Sequence, residues 1–238
     1  MFNAKQLLDQ FLGGAQGGPG EQGRGGGGLL SGAGGGALAG GLAALLLGSK
    51  AGREIGGEAL KMGGMAAVGA LAYKAYNDWQ AGKQAAPAQV PQAPVPMLPA
   101  PSGTPFNPST EAGQQNLARH LLRAMIAAAK ADGHVDAQEQ ARIFAEMDKL
   151  PLGTDDKVFV MDELRAKLDV DAVAGAAATP EEAAEIYAAS LLAIDVDNAA
   201  ERGYLAMLAA RLKLDDALVA HLHGSVAAAT GKSVPIAA

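Results

Sequence analysis

Residues Thr179–Ile194 read TPEEAAEIYAASLLAI, and this stretch decides the fold class. Thr179 offers a side-chain oxygen to the first free N–H groups of a helix. Pro180 stands at the first helical position, where its missing N–H costs nothing, and Glu182 completes a capping box. Behind this start signal Ile186, Tyr187, Leu191 and Leu192 recur at helical spacing. No alternation of apolar and polar residues competes with that reading.

The same pattern extends in both directions. Gln114–Ala131 sets Leu117, Leu121, Leu122, Met125 and Ile126 on one stripe. Asp136–Lys149 follows with Ile143, Phe144 and Met147, Asp136 acting as the cap and Glu139 as its capping-box partner. Thr154–Lys167 carries Val158, Met161 and Leu164; Asn198–Leu212 carries Tyr204, Leu205 and Leu208; Asp216–Thr230 carries Leu218, Val219 and Leu222. Six helices over residues 113–234 therefore predict an all-α domain, long enough for a core of its own. Composition agrees: 49% of residues are apolar but only 4% aromatic, which suits helices packed closely on alanine better than a β-sandwich.

The chain divides by composition. Residues 1–82 hold 24 of the 32 glycines, and residues 87–108 hold 8 of the 12 prolines. Residues 111–238 carry 20 acids and 12 bases, a net of -8, while residues 1–110 carry 5 acids and 7 bases, a net of +2. This predicts a short amphipathic helix and flexible glycine-rich segment over 1–28, apolar helices over 29–82, a Pro-rich extended linker over 83–112, and the acidic helical domain over 113–234. The acidic balance excludes a general nucleic-acid binder, because nothing concentrates Lys and Arg against phosphates. Zero cysteine excludes disulfides, thiolate metal sites and cysteine nucleophiles.

Near the start, Leu7, Leu8, Phe11 and Leu12 share one side of a short helix suited to a membrane surface or a partner. Residues Gly25–Ser49 then run without a charge, GGGGLLSGAGGGALAGGLAALLLGS, with seven leucines. As a helix of about 37 Å this stretch is long enough to cross the roughly 30 Å hydrocarbon core of a bilayer. Gly32, Gly36, Gly40, Ala44, Gly48, Gly52 and Gly56 recur every fourth position, a row that lets helix backbones approach and predicts self-association. A second apolar stretch, Met62–Tyr73, is too short to span alone and reads as a hairpin return, an interfacial helix or a continuation. Tyr73, Tyr76 and Trp79, interleaved with Lys74 and Lys83, fit a membrane–water interface. The excess of bases after the first span places the acidic domain in the cytoplasm, and no cleavable signal peptide is expected.

A weak internal repeat relates LLRAMIAAAKADGHVDAQEQARIFAEM from Leu121 to AASLLAIDVDNAAERGYLAMLAARL from Ala188. Each reads as helix, acidic turn and helix. The two turns, ADGHVDAQE at Ala131–Glu139 and IDVDNAAE at Ile194–Glu201, resemble those of the tellurite-resistance TerB-like helical domain. With GGALAGGLAALLLGSK, YKAYNDW and the Pro-rich linker ahead of them, the chain resembles bacterial inner-membrane proteins of the YebE type.

That resemblance implies a membrane-tethered TerB-like domain. It also implies divalent-cation binding by Asp132, Asp136, Glu139, Asp195, Asp197 and Glu201. Oxygen ligands suit Mn²⁺, Mg²⁺ or Ca²⁺. The turns are not EF-hands, since Ile143 and Ala206 stand where a bidentate glutamate is required. Helix capping accounts for Asp136 and Asp197, and the helix dipole for Glu139 and Glu201, without an ion.

No P-loop, nucleophile elbow or HExxH is present, and the four histidines form no i, i+4 ligand pair. The expected function is a non-enzymatic stress-response or adaptor protein, tethered to a lipid bilayer, self-associating through its glycine-rich helix and binding a protein partner and a divalent cation. Two alternatives are a metal-dependent enzyme using clustered carboxylates and a soluble structural assembly of the Gly/Ala helix.

Overall fold

The computed structural model describes residues 2–13, 64–84, 99–131, 133, 143, 152–194, 196 and 198–230. Among them are eight helices and no strand: α1 (Ala4–Gly13), α2 (Gly64–Gln84), α3 (Glu111–Ala129), α4 (Thr154–Arg165), α5 (Val170–Ala174), α6 (Pro180–Ala193), α7 (Ala199–Arg211) and α8 (Asp216–Thr230). The chain is all-α over the described residues. Five expected helices lie within a few residues of their predicted bounds. The expected Asp136–Lys149 helix lies outside the described residues apart from Ile143, which is helical and buried.

Helix α6 is the axis of the core. Every residue from Ala183 to Ala193 is buried, so it is wrapped on all sides rather than along one stripe. Its start follows the sequence signal: Thr179 accepts a hydrogen bond from the Glu182 N–H at 3.2 Å. The Glu182 carboxylate reaches one residue further back than a standard box and accepts from the Ala178 N–H at 2.9 Å. Helices α3, α2, α8 and α7 pack around α6. Helix α3 contributes Leu117, Leu121, Leu122, Met125 and Ile126, all buried. The short α5 was not expected; five residues are too few to show a period, although Asp169 caps it by accepting from the Ala172 N–H at 2.9 Å.

The division at residue 113 is not kept. Helix α2, expected within the apolar anchor of 29–82, buries Met65, Val68, Leu71, Ala72 and Ala75 in the same core as α3 and α6. Helix α1 lays Ala4, Leu7, Leu8 and Leu12 onto α2 and α3. Its crossing with α2 needs Gly64, because a Cβ there would stand 2.6 Å from the Leu8 carbonyl oxygen. The Asn3 N–H donates to the buried Asp156 carboxylate at 2.8 Å, tying the entry of α1 to the start of α4.

Residues 99–110, expected as the end of an extended linker, form a folded loop. Gly103, at φ +83°, donates to the Asn107 carbonyl at 2.8 Å, and Asn107 donates back to the Thr104 carbonyl at 2.9 Å. The loop exists to seat Phe106, which is 5% exposed.

The expected inner-membrane location is corrected: among the described residues no helix is long and apolar enough to cross a membrane. Helix α2 has the length, but it carries Lys74, Asp78 and Lys83 and uses its apolar residues against protein. The aromatic residues expected at a lipid interface are likewise turned to protein. Tyr73 and Tyr76 meet the Phe106 ring edge-on at centroid distances of 5.5 and 5.6 Å. The Trp79 indole N–H donates to Asp215 at 3.2 Å, and the Lys83 ammonium stands 3.8 Å over its ring. The uncharged stretch Gly25–Ser49 and the small-residue row from Gly32 to Gly56 lie outside the described residues.

Candidate functional site

Two clusters of polar groups lie within this apolar bundle, both resting on α3. The first closes the end of α4. Lys130, just past α3 and 7% exposed, donates its ammonium to the Glu163 carbonyl at 2.9 Å and to the Ala166 carbonyl. These are among the oxygens left without intrahelical partners where α4 stops. A cation there also meets the negative end of the helix dipole. Arg123, two turns earlier on α3, donates through Nε to the Glu163 carboxylate at 2.8 Å. Burial pulls the Lys130 pKa down, opposed by the Glu163 charge.

The second cluster lies where α2, α3 and α6 meet. His120 Nδ1 donates to Glu182 Oε1 at 2.6 Å, with both side chains largely covered. Burial raises the Glu182 pKa, but the hydrogen bonds from His120 and the Ala178 N–H outweigh it, and the carboxyl titrates below its ordinary range. One turn on, Glu185 is 0% exposed. Neither of its carboxyl oxygens has a hydrogen-bond partner among the described residues. It lies against the backbone of α2 at Gly69, where a Cβ would stand 3.3 Å from Glu185 Oε1 and 2.7 Å from the Phe106 carbonyl oxygen. Only glycine lets α2, the Phe106 loop and the Glu185 carboxyl share that point. Burial, and then the Glu182 charge, push the Glu185 carboxyl well above its ordinary value.

Further along α6 the Tyr187 hydroxyl pairs with His223 Nε2 of α8 at 2.8 Å, both buried. Burial raises the Tyr187 pKa, and it pushes Tyr204, beside Ser190, up to about 12. Both hydroxyls keep their protons at neutral pH; Tyr187 bonds His223, whereas the Tyr204 hydroxyl has no hydrogen-bond partner among the described residues.

Of the six acids expected to hold a cation, Asp132, Asp136, Glu139, Asp195 and Asp197 lie outside the described residues. Glu201 is described and serves α7. Its N–H donates to the Asn198 side chain at 2.9 Å, and the Asn198 N–H donates back to its carboxylate at 3.4 Å. The cap of α7 is thus Asn198 rather than Asp197. Among the described residues no three His, Asp or Glu side chains stand together as an ion site.

The buried Lys130 and Glu185 and the half-buried His120 and Glu182 were missed as a set. One signal was present: Glu185 interrupts AAEIYAAS at a position whose neighbours are all core-forming.

Residues 32–226 match the family model described as "Protein of unknown function (DUF533)", which covers well over half of the chain. The chain belongs to the DUF533 family. The DUF533 chain is also similar to a protein of Yersinia enterocolitica described as "Uncharacterized protein in ampR 5'region". That likeness is 33% identity over 96 residues, 40% of this chain and 69% of the relative. No solved structure matches it.

Proposed function

We propose that this DUF533 chain is a non-enzymatic adaptor whose acidic helices bind a basic, amphipathic segment of a protein partner. The observation that carries the reading is the outer face of α4. Val158 is 52% exposed there, flanked one turn to either side by the exposed acids Asp155 and Asp162. Acidic charge around an exposed apolar side chain favours a partner that brings apolar surface and charge of opposite sign. Helix α4 is fixed at both ends, by Asp156 at its start and by Arg123 and Lys130 at its finish. It presents its face without further ordering, which lowers the cost of binding.

The test is capture of partners from native extracts by the full chain and by Val158→Asp. Retention of a basic protein by the wild type and its loss in the variant, with unchanged circular dichroism, is the expected result. Equal capture by both proteins removes α4 as the docking face.

The likeness of Ala131–Glu139 and Ile194–Glu201 to TerB-like turns supports a divalent cation as a second ligand. Titration calorimetry of the full chain with Mn²⁺, Mg²⁺ and Ca²⁺ tests it. Heat that Asp132→Asn and Glu201→Gln abolish is expected, and unchanged heat in both variants refutes the ligand set.

A further inference from the structure

We propose that Glu185 is a proton-controlled latch: the neutral carboxyl lets α2 lie closed on α6, and its ionisation releases α2 while the rest of the bundle stays folded. The argument starts from what surrounds the carboxyl. It is 0% exposed, both oxygens lack partners among the described residues, and it sits at the point where Gly69 and the Phe106 carbonyl oxygen converge. A buried neutral carboxyl costs little beyond one or two missing hydrogen bonds. A buried carboxylate with no cation beside it is far more costly.

The described groups packed around it do not supply that cation. On α6 itself the neighbour is Glu182, a like charge. From α3 comes His120, already committed to Glu182. The buried histidine that α8 brings to α6, His223, pairs with Tyr187 instead. From α2 comes the bare backbone of Gly69, while Tyr76, two turns along, acts on Glu181. The loop contributes a carbonyl oxygen, which repels an anion as well. Ionised Glu185 gains solvation only by parting α2 and the Phe106 loop from α6.

Helix α2 also packs on α8 and α1, so what opens is its seam with α6 rather than all of its contacts. Toward its C-terminal end α2 is held by the surface group of Trp79, Lys83 and Asp215, and Lys83 and Asp215 remain about half exposed. The α3–α6 pairing does not pass through Gly69, so it persists when α2 parts from α6. The burial and the Glu182 charge that raise the Glu185 pKa set the direction, closed at low pH and open at high pH.

Hydrogen exchange on the full chain between pH 6 and pH 9, corrected for intrinsic rates, reads this directly. In the wild type the protection of α2 amides should fall with rising pH, by up to about tenfold per pH unit, and should stay below that of α7 amides, which belong to the part that remains folded when α2 opens. Trp79, the single tryptophan and a residue of α2, should change its fluorescence over the same range. In Glu185→Gln both pH dependences should vanish. Equal protection of α2 and α7 amides at every pH overturns the proposal, because α2 would then open only through global unfolding. A pH slope unchanged in Glu185→Gln also overturns it. Should that variant not fold, the comparison of α2 with α7 in the wild type decides alone.

Discussion

The two polar clusters on α3 bury comparable chemistry and reach opposite outcomes. At the end of α4, Lys130 and Arg123 donate to oxygens that α4 leaves over, so charge and hydrogen-bonding capacity are both matched. At the seam of α2 and α6, Glu182 is matched by His120, whereas Glu185 is not. A matched buried group fixes geometry at any pH where its partners keep their charge. An unmatched one makes the stability of its surroundings depend on its own proton. The molecule thus has a rigid end, around α4, and a conditional one, around α2.

The largest effect should come from breaking the conditional end outright. Phe106→Ala removes the ring that Tyr73 and Tyr76 grip and that holds the loop carbonyl over Gly69. A cost of about 3–5 kcal/mol in denaturant unfolding is expected, as for other buried phenylalanines. Native-state exchange should show the loss first in α2. Equal early loss in α4 would mean that the two ends are one cooperative unit.

Next in size is Lys130→Met, which keeps the buried stem and deletes the donors. Two carbonyl oxygens at the end of α4 lose their partner, at about 2–3 kcal/mol. This loss should be nearly independent of pH between 5 and 8, in contrast to changes at Glu185.

The pH test sharpens the comparison further. The folded-state pKa of Glu185 lies above its ordinary value of 4.5, so the folded chain holds a proton that the unfolded chain releases. The stabilisation is complete below that ordinary value and is lost as pH rises toward the folded one. The slope is up to about 1.4 kcal/mol per pH unit inside the window. Glu185→Gln should flatten this part of the stability profile, measured by urea unfolding from pH 4 to 9. An unflattened profile would assign the pH dependence elsewhere.

The smallest effect should follow from Thr179→Ala, which removes the cap of α6 and costs about 1 kcal/mol. Its thermal midpoint should drop by a few degrees without altering the pH profile.

The local sequence determined which segments are helical and where they begin. Thr179, Pro180 and Glu182 act on backbone groups within four residues of themselves, so their meaning survives without a tertiary structure. The stripe Leu117, Leu121, Leu122, Met125 and Ile126 is legible for the same reason, because its period is a property of one helix. Val170–Ala174 is the exception, too short to carry a period.

Tertiary structure alone decided what the apolar surfaces face. Protein interior and hydrocarbon are both apolar solvents, so Met62–Tyr73 followed by Tyr73, Tyr76 and Trp79 reads equally as lipid-facing or core-facing. The choice fell to Phe106, a residue thirty positions away, and to the close fit at Gly69. The candidate groups followed the same rule: Glu185 is conspicuous in its helix. Its missing partner, and so its proton-dependent character, exists only once α2, α6 and the loop converge on one point.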